Sequence, residues 1–191
     1  MIKEKSRADW FGASDVNRII GNYETKTFEK WWLEKLGFRN NNFTNEAMAA
    51  GTHYEHRILD YLHVLERDKQ IKIPALKMRV NLDGNDDETI YEVKTYRLEK
   101  GFTVPIGYKR QVWVQMWASG IRKAYIVAYG LVDSDYKNFF NAIDGERLSK
   151  YPIEYNEKWI NETFLPSLCY LCDCLTKGKM PNNKEKSLWK D

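Results

Sequence analysis

Acidic side chains and a lysine that could support metal-assisted hydrolysis lie in the stretch LDGNDDETIYEVKTYR, residues 82–97. Asp83 precedes a turn and Glu92 lies on the strand predicted after it, so the two carboxylates can converge across a hairpin. Mg²⁺ prefers such oxygen ligands, and the main-chain carbonyl of Val93 could add another. Lys94 shares a strand face with Glu92, where it could position a nucleophilic water or neutralise developing phosphate charge. The stretch therefore suggests phosphodiester hydrolysis.

The same stretch has a simpler interpretation. Acidic turns are commonly solvated, and a glutamate two residues before a lysine occurs by chance on many exposed strands. Asp86, Asp87 and Glu88 fit a solvated turn between two strands. A register in which Asp86 or Asp87 serves as the ligand in place of Asp83 stays open at this point.

Another acidic residue, Glu55, lies on a long helix predicted over residues 45–67. Met48, Gly51, Glu55, Ile58/Leu59 and Leu62 follow one another at three- and four-residue steps, which places Glu55 on the apolar stripe. Burial of an unpaired carboxylate is costly. We therefore expect Glu55 to have a partner such as a metal ion or a lysine.

The order of the helices and strands predicted around these residues indicates a mixed α/β (α+β) fold, with a small mixed central sheet flanked by helices. Ser14 is the candidate N-cap of a first short helix. Gln111 and Gln115 share one face of a later helix that Gly120 closes. The other predicted elements are a helix from about Thr27, strands at 71–80 and 89–96, a buried strand at 123–129 and a last helix over 156–175.

Chain length and net charge limit the number of domains and the possible binding partners. The chain has 191 residues, is 43% hydrophobic and carries 30 Lys and Arg against 27 Asp and Glu. This length predicts one domain, residues 1–180, with 181–191 as a flexible C-terminal tail. Because the net charge is only +3, DNA binding would need a local basic surface, in which Arg97 is the best candidate for a phosphate contact. No stretch approaches the roughly 20 apolar residues of a membrane helix, so no membrane association is expected.

The three cysteines, Cys169, Cys172 and Cys174, lie within six residues. Their odd number, and the absence of an apolar leader in MIKEKSRADW, favour a reducing cytoplasm. An iron–sulfur cluster would need a fourth cysteine ligand. On a helix Cys169 and Cys172 share a face, so we expect them to pack in the core.

Four stretches in the same order resemble the YqaJ-like branch of the PD-(D/E)xK nuclease superfamily, and within it the phage lambda exonuclease type. They are RADWFGASDVNRIIG, NEAMAAGTHYEHRILDYL, LDGNDDETIYEVKT and YKRQVWVQMWASGIRKAYIVAY, which together span residues 7–129. The resemblance implies a restriction-endonuclease-like core. The chain departs from the family where Leu82 stands in place of the usual proline and where Trp113 replaces a glutamine, which leaves Gln111 and Gln115 as candidates for that role.

The resemblance also implies roles for particular residues. Glu55 becomes the helical acid, Asp83 and Glu92 the metal-binding carboxylates and Lys94 the catalytic lysine. Arg7 and Ser14 would help to hold the 5′-terminal phosphate of the degraded strand, for which a helix starting at Ser14 would be suited.

Together with these residues, the resemblance implies a Mg²⁺-dependent 5′-to-3′ exodeoxyribonuclease acting on the ends of linear double-stranded DNA, with Mn²⁺ as a substitute metal. The resemblance further implies a role in phage or prophage recombination, a ring-shaped homotrimer, a single-strand-annealing recombinase as partner and a location in the bacterial host cytoplasm. An endonuclease of restriction or resolvase type and a non-cleaving DNA-binding protein are the alternatives.

Overall fold

A mixed five-stranded sheet lies at the centre of the molecule. The computed structural model describes residues 8–39 and 45–189. In chain order the strands are β1 (Glu66–Ile73), β2 (Met78–Asn85), β3 (Thr89–Arg97), β4 (Lys123–Leu131) and β5 (Leu148–Ile153). Their order in the sheet is the same, with β3 and β4 parallel and the other neighbours antiparallel. The structure confirms the predicted mixed sheet flanked by helices.

Local sequence signals begin and end several of the helices. The Thr25 hydroxyl accepts a hydrogen bond from the Phe28 N–H at 3.1 Å, and Asn45 Oδ1 accepts one from the Met48 N–H at 2.9 Å. Gly120 ends another helix in the left-handed region, with φ of 80°. The α-helices are α1 (Val16–Ile19), α2 (Lys26–Lys35), α3 (Glu46–Tyr61), α4 (Ile106–Ser119), α5 (Asp133–Lys137), α6 (Glu157–Trp159), α7 (Leu165–Thr176) and α8 (Asn183–Leu188).

Two hydrophobic clusters cover the two faces of the sheet. Helix α3 packs on the face that carries Val93 and Val127. Helices α1, α2, α4 and α7 pack on the opposite face, which carries Ile90 and Ile126. Because successive strand residues point to opposite faces, Glu92 and Lys94 point toward α4, as the alternation in the sequence predicts. The catalytic candidates on β3 thus lie on the α4 face of the sheet.

The helix predicted over residues 45–67 is shorter than expected. Helix α3 ends at Tyr61 and β1 begins at Glu66, so the last residues of the prediction belong to a turn and a strand. The buried residues of α3 include Ala50, Tyr54 and Ile58, whereas Met48 is 51% exposed. Ile58 and Leu59 are buried as predicted, but Ala50 and Tyr54 are buried instead of Gly51 and Glu55, which places Glu55 at the margin of the stripe.

The C-terminal segment also differs from the prediction of a flexible tail. Residues 183–188 form α8, where Asn183 Oδ1 accepts a hydrogen bond from the Tyr23 N–H at 3.1 Å. Lys186 Nζ donates to the Ile20 carbonyl at 3.0 Å, close to the end of α1. These polar contacts with α1 and the turn after it carry no hydrophobic periodicity, which is why the sequence pattern missed them.

Two smaller predictions are corrected as well. Strand β5 was missed by the sequence pattern because it is short, lies at the sheet edge and contains Pro152. Among the three free cysteines, Cys172 is half-buried and packs against the core as predicted, whereas Cys169 is half-buried without being part of that core, and Cys174 is buried. Within residues 8–39 and 45–189, no helix combines the length and the apolar character that a membrane crossing requires.

Candidate active site

The candidate site lies where β2 and β3 separate. In the described part of the chain their ladder is confined to the turn end of the hairpin, where Gly84 pairs with Tyr91. Asp83 and Glu92 would form the next pair if the ladder continued. Instead, Asp83 Oδ2 accepts a hydrogen bond from the Val93 N–H at 2.9 Å. A side chain thus takes the place of a main-chain partner and holds the Asp83 carboxylate at the opening between the strands.

Glu92 lies at the centre of this opening and is 1% exposed. Its Oε1 accepts hydrogen bonds from Lys94 Nζ and Gln111 Nε2, both at 2.5 Å. Its Oε2 accepts one from Gln115 Nε2 at 2.6 Å, and the same nitrogen donates to the Asn81 carbonyl at 3.1 Å. Three donors, one of them charged, compensate the burial of the carboxylate. Both candidate glutamines therefore converge on the site, four residues apart on α4.

Lys94 is fixed between the carboxylates and an aromatic ring. Its side chain is 21% exposed, and Nζ lies 4.9 Å from the centre of the Tyr108 ring. Burial lowers the pKa of Lys94, but the charges of Glu92 and Asp83 outweigh it and hold the pKa above its ordinary value of 10.5. Lys94 is therefore a stable cation in this site.

The remaining carboxylates carry more negative charge than Lys94 alone can offset. Burial, followed by the charges of Glu92 and Glu55, raises the pKa of Asp83 well above its ordinary value. Burial and the charge of Glu92 likewise raise the pKa of Glu55. Each of these neighbouring carboxylates makes ionisation of the others less favourable, because like charges repel. The donor set of clustered carboxylate oxygens fits a hard divalent cation, which would relieve that repulsion.

Glu55 approaches the site from α3 with its own neighbours. The Glu55 side chain is 29% exposed, and His56 Nε2 lies 4.0 Å from Glu55 Oε1 and 3.3 Å from Asp68 Oδ2. Potential ligand atoms of these three residues all lie within 4.8 Å of one another. The proximity of Asp68 was not predicted, because no sequence pattern connected this residue, one position beyond the helix expected over residues 45–67, with Glu55.

The turn acids have a different role from Asp83. Asp86 Oδ1 accepts hydrogen bonds from the N–H groups of Glu88 at 2.9 Å and Thr89 at 2.7 Å, and Tyr91 OH donates to its Oδ2 at 3.2 Å. Burial raises the pKa of Asp86, yet these bonds outweigh it and lower the pKa below its ordinary value. Asp86 thus closes an exposed turn, in line with the simpler interpretation of the turn acids. The carboxylate that lies beside Glu92 is that of Asp83.

A cleft of about 210 Å³ adjoins the carboxylates. Arg79, Asn81 and Asp83 line it from β2, because residues two apart on a strand point to one face. The segment before α1, which Phe11 joins to β2 by main-chain hydrogen bonds, forms a second wall, and Gln111 contributes from α4. The complete lining is Trp10, Phe11, Gly12, Ala13, Ser14, Asp15, Lys35, Arg79, Asn81, Asp83 and Gln111.

A buried ion pair holds the wall of the cleft formed by residues 10–15. Lys35 Nζ lies 2.7 Å from Asp15 Oδ2 and donates to the Trp10 carbonyl, also at 2.7 Å. Trp31 Nε1 donates to Asp15 Oδ1 at 3.0 Å, and the Gly12 N–H donates to Asp15 Oδ2 at 3.0 Å. Such hydrogen-bonded burial fixes the geometry of the wall. No sequence pattern signals this pair, since Asp15 and Lys35 are 20 residues apart.

The predicted phosphate contacts have separate outcomes. Ser14 is not the N-cap of a helix: it lies inside the 3₁₀ turn Ala13–Asp15, where Asp15 accepts the hydrogen bond from Gly12, and it is exposed on the cleft wall. Arg97 lies at the end of β3, 3.0 Å from Asp133 Oδ1 and 4.7 Å from the centre of the Tyr136 ring. Arg7 lies outside the described residues.

The Val93 carbonyl is directed toward the same opening. The N–H of Val93 points to Asp83, and in an extended strand the N–H and C=O of one residue point to the same neighbour. The predicted ligands Asp83, Glu92 and Val93 are thus brought together, with Glu55 at the margin.

Comparisons with known proteins show the same fold in exonucleases. No protein-family model matches the chain, and no curated protein matches it significantly. The alkaline exonuclease LHK-Exo from Laribacter hongkongensis is similar, with a TM-score of 0.62 and 19% identity over 90% of this chain and 94% of that chain. Its complex with dAMP gives a TM-score of 0.63 at the same identity and coverage. A phage-related exonuclease from Haemophilus somnus 129PT gives 0.61 at 14% identity, over 88% of this chain and 92% of that chain.

Proposed function

We propose that this chain is a Mg²⁺-dependent exodeoxyribonuclease that degrades one strand of linear double-stranded DNA from its 5′ end. The observation that carries the proposal is the convergence of Asp83, Glu92 and Lys94 at the opening between β2 and β3, next to a cleft. The shared fold with an alkaline and a phage-related exonuclease supports it. The site is proposed to be of the PD-(D/E)xK type, with Asp83, Glu92 and Lys94 as the residues of that motif.

Asp83, Glu92, Glu55 and the Val93 carbonyl would hold Mg²⁺, or Mn²⁺ in its place. Glu92 is bonded to three donors, but a carboxylate has about four lone-pair sites, so it keeps capacity for a cation. When bound, the cation would supply a nucleophile at neutral pH and offset the charge of the phosphate.

Lys94 would act as a fixed positive charge. Because its pKa lies above the ordinary value, the ammonium keeps its proton and is a poor general base. An ammonium held at 2.5 Å from Glu92 and over the Tyr108 ring is preorganised to stabilise negative charge that develops on a phosphate oxygen. Gln111 and Gln115 keep Glu92 in place during this step.

The cleft would receive the 5′-terminal phosphate of the degraded strand. Ser14 offers a hydroxyl from one wall, and Arg79 and Asn81 offer donors from the other, next to Asp83. Arg7 and Arg97 are further proposed phosphate contacts. A phosphate seated here would place the following phosphodiester near the carboxylates, which favours cleavage from an end over internal cleavage.

The test compares three substrates with Mg²⁺ and with a chelator: linear duplex DNA with a 5′ phosphate, the same duplex with a 5′ hydroxyl, and covalently closed circular DNA. The proposal expects cleavage of the linear duplexes with preference for the phosphate, none of the circle and none with the chelator. Cleavage of circles would point to an endonuclease. Binding without cleavage of any substrate would point to a DNA-binding protein.

Lys94→Met is the matched catalytic variant, because methionine keeps most of the side-chain volume and removes the charge. It should lower cleavage by at least about a hundredfold, the order of effect seen when a charge-stabilising donor is lost. A thermal melt close to that of the wild type would show that the variant is folded. Full activity in a folded Lys94→Met protein would mean that the site lies elsewhere.

The proposed assembly is a ring-shaped homotrimer in the bacterial host cytoplasm, with a single-strand-annealing recombinase as partner in phage or prophage recombination. It rests on the family resemblance of the four sequence stretches. Light scattering of the purified protein tests it, and a monomer at micromolar concentration would contradict the ring.

A further inference from the structure

Asn81 is held by hydrogen bonds from two sides at the wall of the cleft. Its side-chain Oδ1 accepts a hydrogen bond from Gln70 Nε2 at 3.1 Å, and its main-chain carbonyl accepts one from Gln115 Nε2 at 3.1 Å. Gln70 and Asn81 face each other in the antiparallel β1–β2 ladder. Directly opposed strand residues are close enough for such a side-chain bond. The position of Asn81 is therefore set by both neighbouring elements.

The bond from Gln70 decides which end of the Asn81 amide faces the cleft. An asparagine amide has one acceptor oxygen and an NH₂ group with two donors. Because the oxygen is bonded to Gln70, the NH₂ group is the end that remains for the cleft, which Asn81 lines together with Asp83. The reverse orientation would turn the oxygen toward the negatively charged Asp83. Electrostatics and the hydrogen bond thus favour the same orientation.

We propose that Gln70 is a positioning residue: it orients the Asn81 amide so that an N–H donates to a phosphate oxygen of DNA bound in the cleft. This rests on the proposed function, which places a phosphate there. Gln70 is not among the described residues that line the cleft, so its effect passes through Asn81. The role explains why a glutamine stands opposite Asn81 on β1, since the partner of Oδ1 must be a donor.

Substitutions at Gln70 separate the donor from the acceptor. Gln70→Lys keeps a hydrogen-bond donor for Asn81 Oδ1. Gln70→Met removes the hydrogen bond without changing the charge. Gln70→Glu offers only acceptors and would draw the Asn81 NH₂ group away from the cleft. Lys69→Gln is the charge control: like Gln70→Glu it lowers the charge of β1 by one unit, and the Lys69 side chain lies on the other face of the strand from the Gln70–Asn81 bond.

The measurement is binding of a short duplex with a 5′ phosphate and of the same duplex with a 5′ hydroxyl, by calorimetry in Ca²⁺, which allows binding and suppresses turnover. The quantity compared is the ratio of the two dissociation constants. We expect the preference for the phosphate to fall about tenfold in Gln70→Glu, by a smaller factor in Gln70→Met and not at all in Gln70→Lys. Thermal melts check that each variant is folded.

A simple effect of charge predicts a different order, with Gln70→Met equal to the wild type and Lys69→Gln comparable to Gln70→Glu. That order would overturn the inference, as would a wild-type protein without preference for the phosphate. Cleavage of linear DNA by the same samples is scored separately. Loss of preference in Gln70→Met by a protein that does not cleave DNA would support the role of Gln70 and refute the nuclease.

Discussion

Asp83→Asn should make the metal-free protein more stable while it abolishes cleavage. Burial and the charges of Glu92 and Glu55 raise the pKa of Asp83, so the ionised carboxylate is less stable in the folded protein than in water. An asparagine removes that charge and can still accept the hydrogen bond from the Val93 N–H, which now measures 2.9 Å. The substitution therefore relieves repulsion without leaving the N–H group unsatisfied.

The expected gain is about 0.5–2 kcal/mol in the free energy of unfolding, the usual range for relief of a destabilised functional site. The attraction between Asp83 and Lys94 is lost, but Lys94 keeps Glu92 as a partner at 2.5 Å. The sign depends on pH. Because the folded-state pKa is raised, lowering the pH through it protonates Asp83 and stabilises the wild type, so the difference between the proteins narrows in acid.

Urea unfolding followed by circular dichroism measures this difference, first with a chelator and then with Mg²⁺ or Ca²⁺. The cation should stabilise the wild type and have a much smaller effect on Asp83→Asn, which has lost a ligand. Asp86→Asn is the control from the same hairpin. Its carboxylate accepts N–H bonds from Glu88 and Thr89, which hold its pKa low, so this substitution should slightly destabilise the protein with or without the cation.

Two results would refute the reasoning. One is an Asp83→Asn protein that is less stable than the wild type in chelator, since the carboxylate would then be a net source of stability. The other is an equal stabilisation of both proteins by Mg²⁺, since Asp83 could not then be a ligand. Cleavage by Asp83→Asn at the wild-type rate would exclude Asp83 from the site altogether.

Three further substitutions test the framework around the site by urea unfolding. Gly84→Ala should cost about 1–3 kcal/mol, because its Cβ would lie 2.6 Å from Leu59 Cδ2, and unchanged stability would contradict this packing. Gln115→Leu should cost about 2–4 kcal/mol and reduce cleavage, since Glu92 and a buried carbonyl both lose a donor; a fully active, stable variant would contradict it. Asp135→Asn should destabilise the protein at neutral pH by about 1–3 kcal/mol. Burial raises the pKa of Asp135, but hydrogen bonds, including one from Arg147 at 2.6 Å, outweigh it and hold the pKa below 3.8. The stability difference between variant and wild type should therefore shrink as the pH falls through the lowered pKa, and a difference independent of pH would refute the prediction.

Much of the site was visible in the sequence because its signals are local. The alternation in TIYEVKTY fixes Glu92 and Lys94 on one strand face, and the i, i+4 spacing fixes Gln111 and Gln115 on one helix face. Each pattern depends on a short segment whose backbone geometry is known once the element is predicted. The mixed α/β class follows from the order of such segments.

The position of Glu55 shows how a local signal can mislead. The three- and four-residue steps were correct for a helix, but several residues of α3 satisfy them, and the sheet selected Ala50, Tyr54 and Ile58 for burial. The same limit applies to the end of α3, where propensity favoured more helix but pairing with β2 drew the chain from Glu66 onward into β1.

By itself the sequence determined the residue types of the candidate site, their faces on β3 and α4, and the class of chemistry proposed from oxygen ligands beside a lysine. Tertiary structure alone places the Asp83 carboxylate beside Glu92 and that of Asp86 in the turn, because this placement depends on where β2 and β3 separate. It also decided the cleft, since the Asp15–Lys35 ion pair and the Gln70–Asn81 bond join residues distant in sequence. The hydrophobic periodicity of the sequence cannot predict such contacts, because burial and hydrogen bonding between elements arise only when the elements pack.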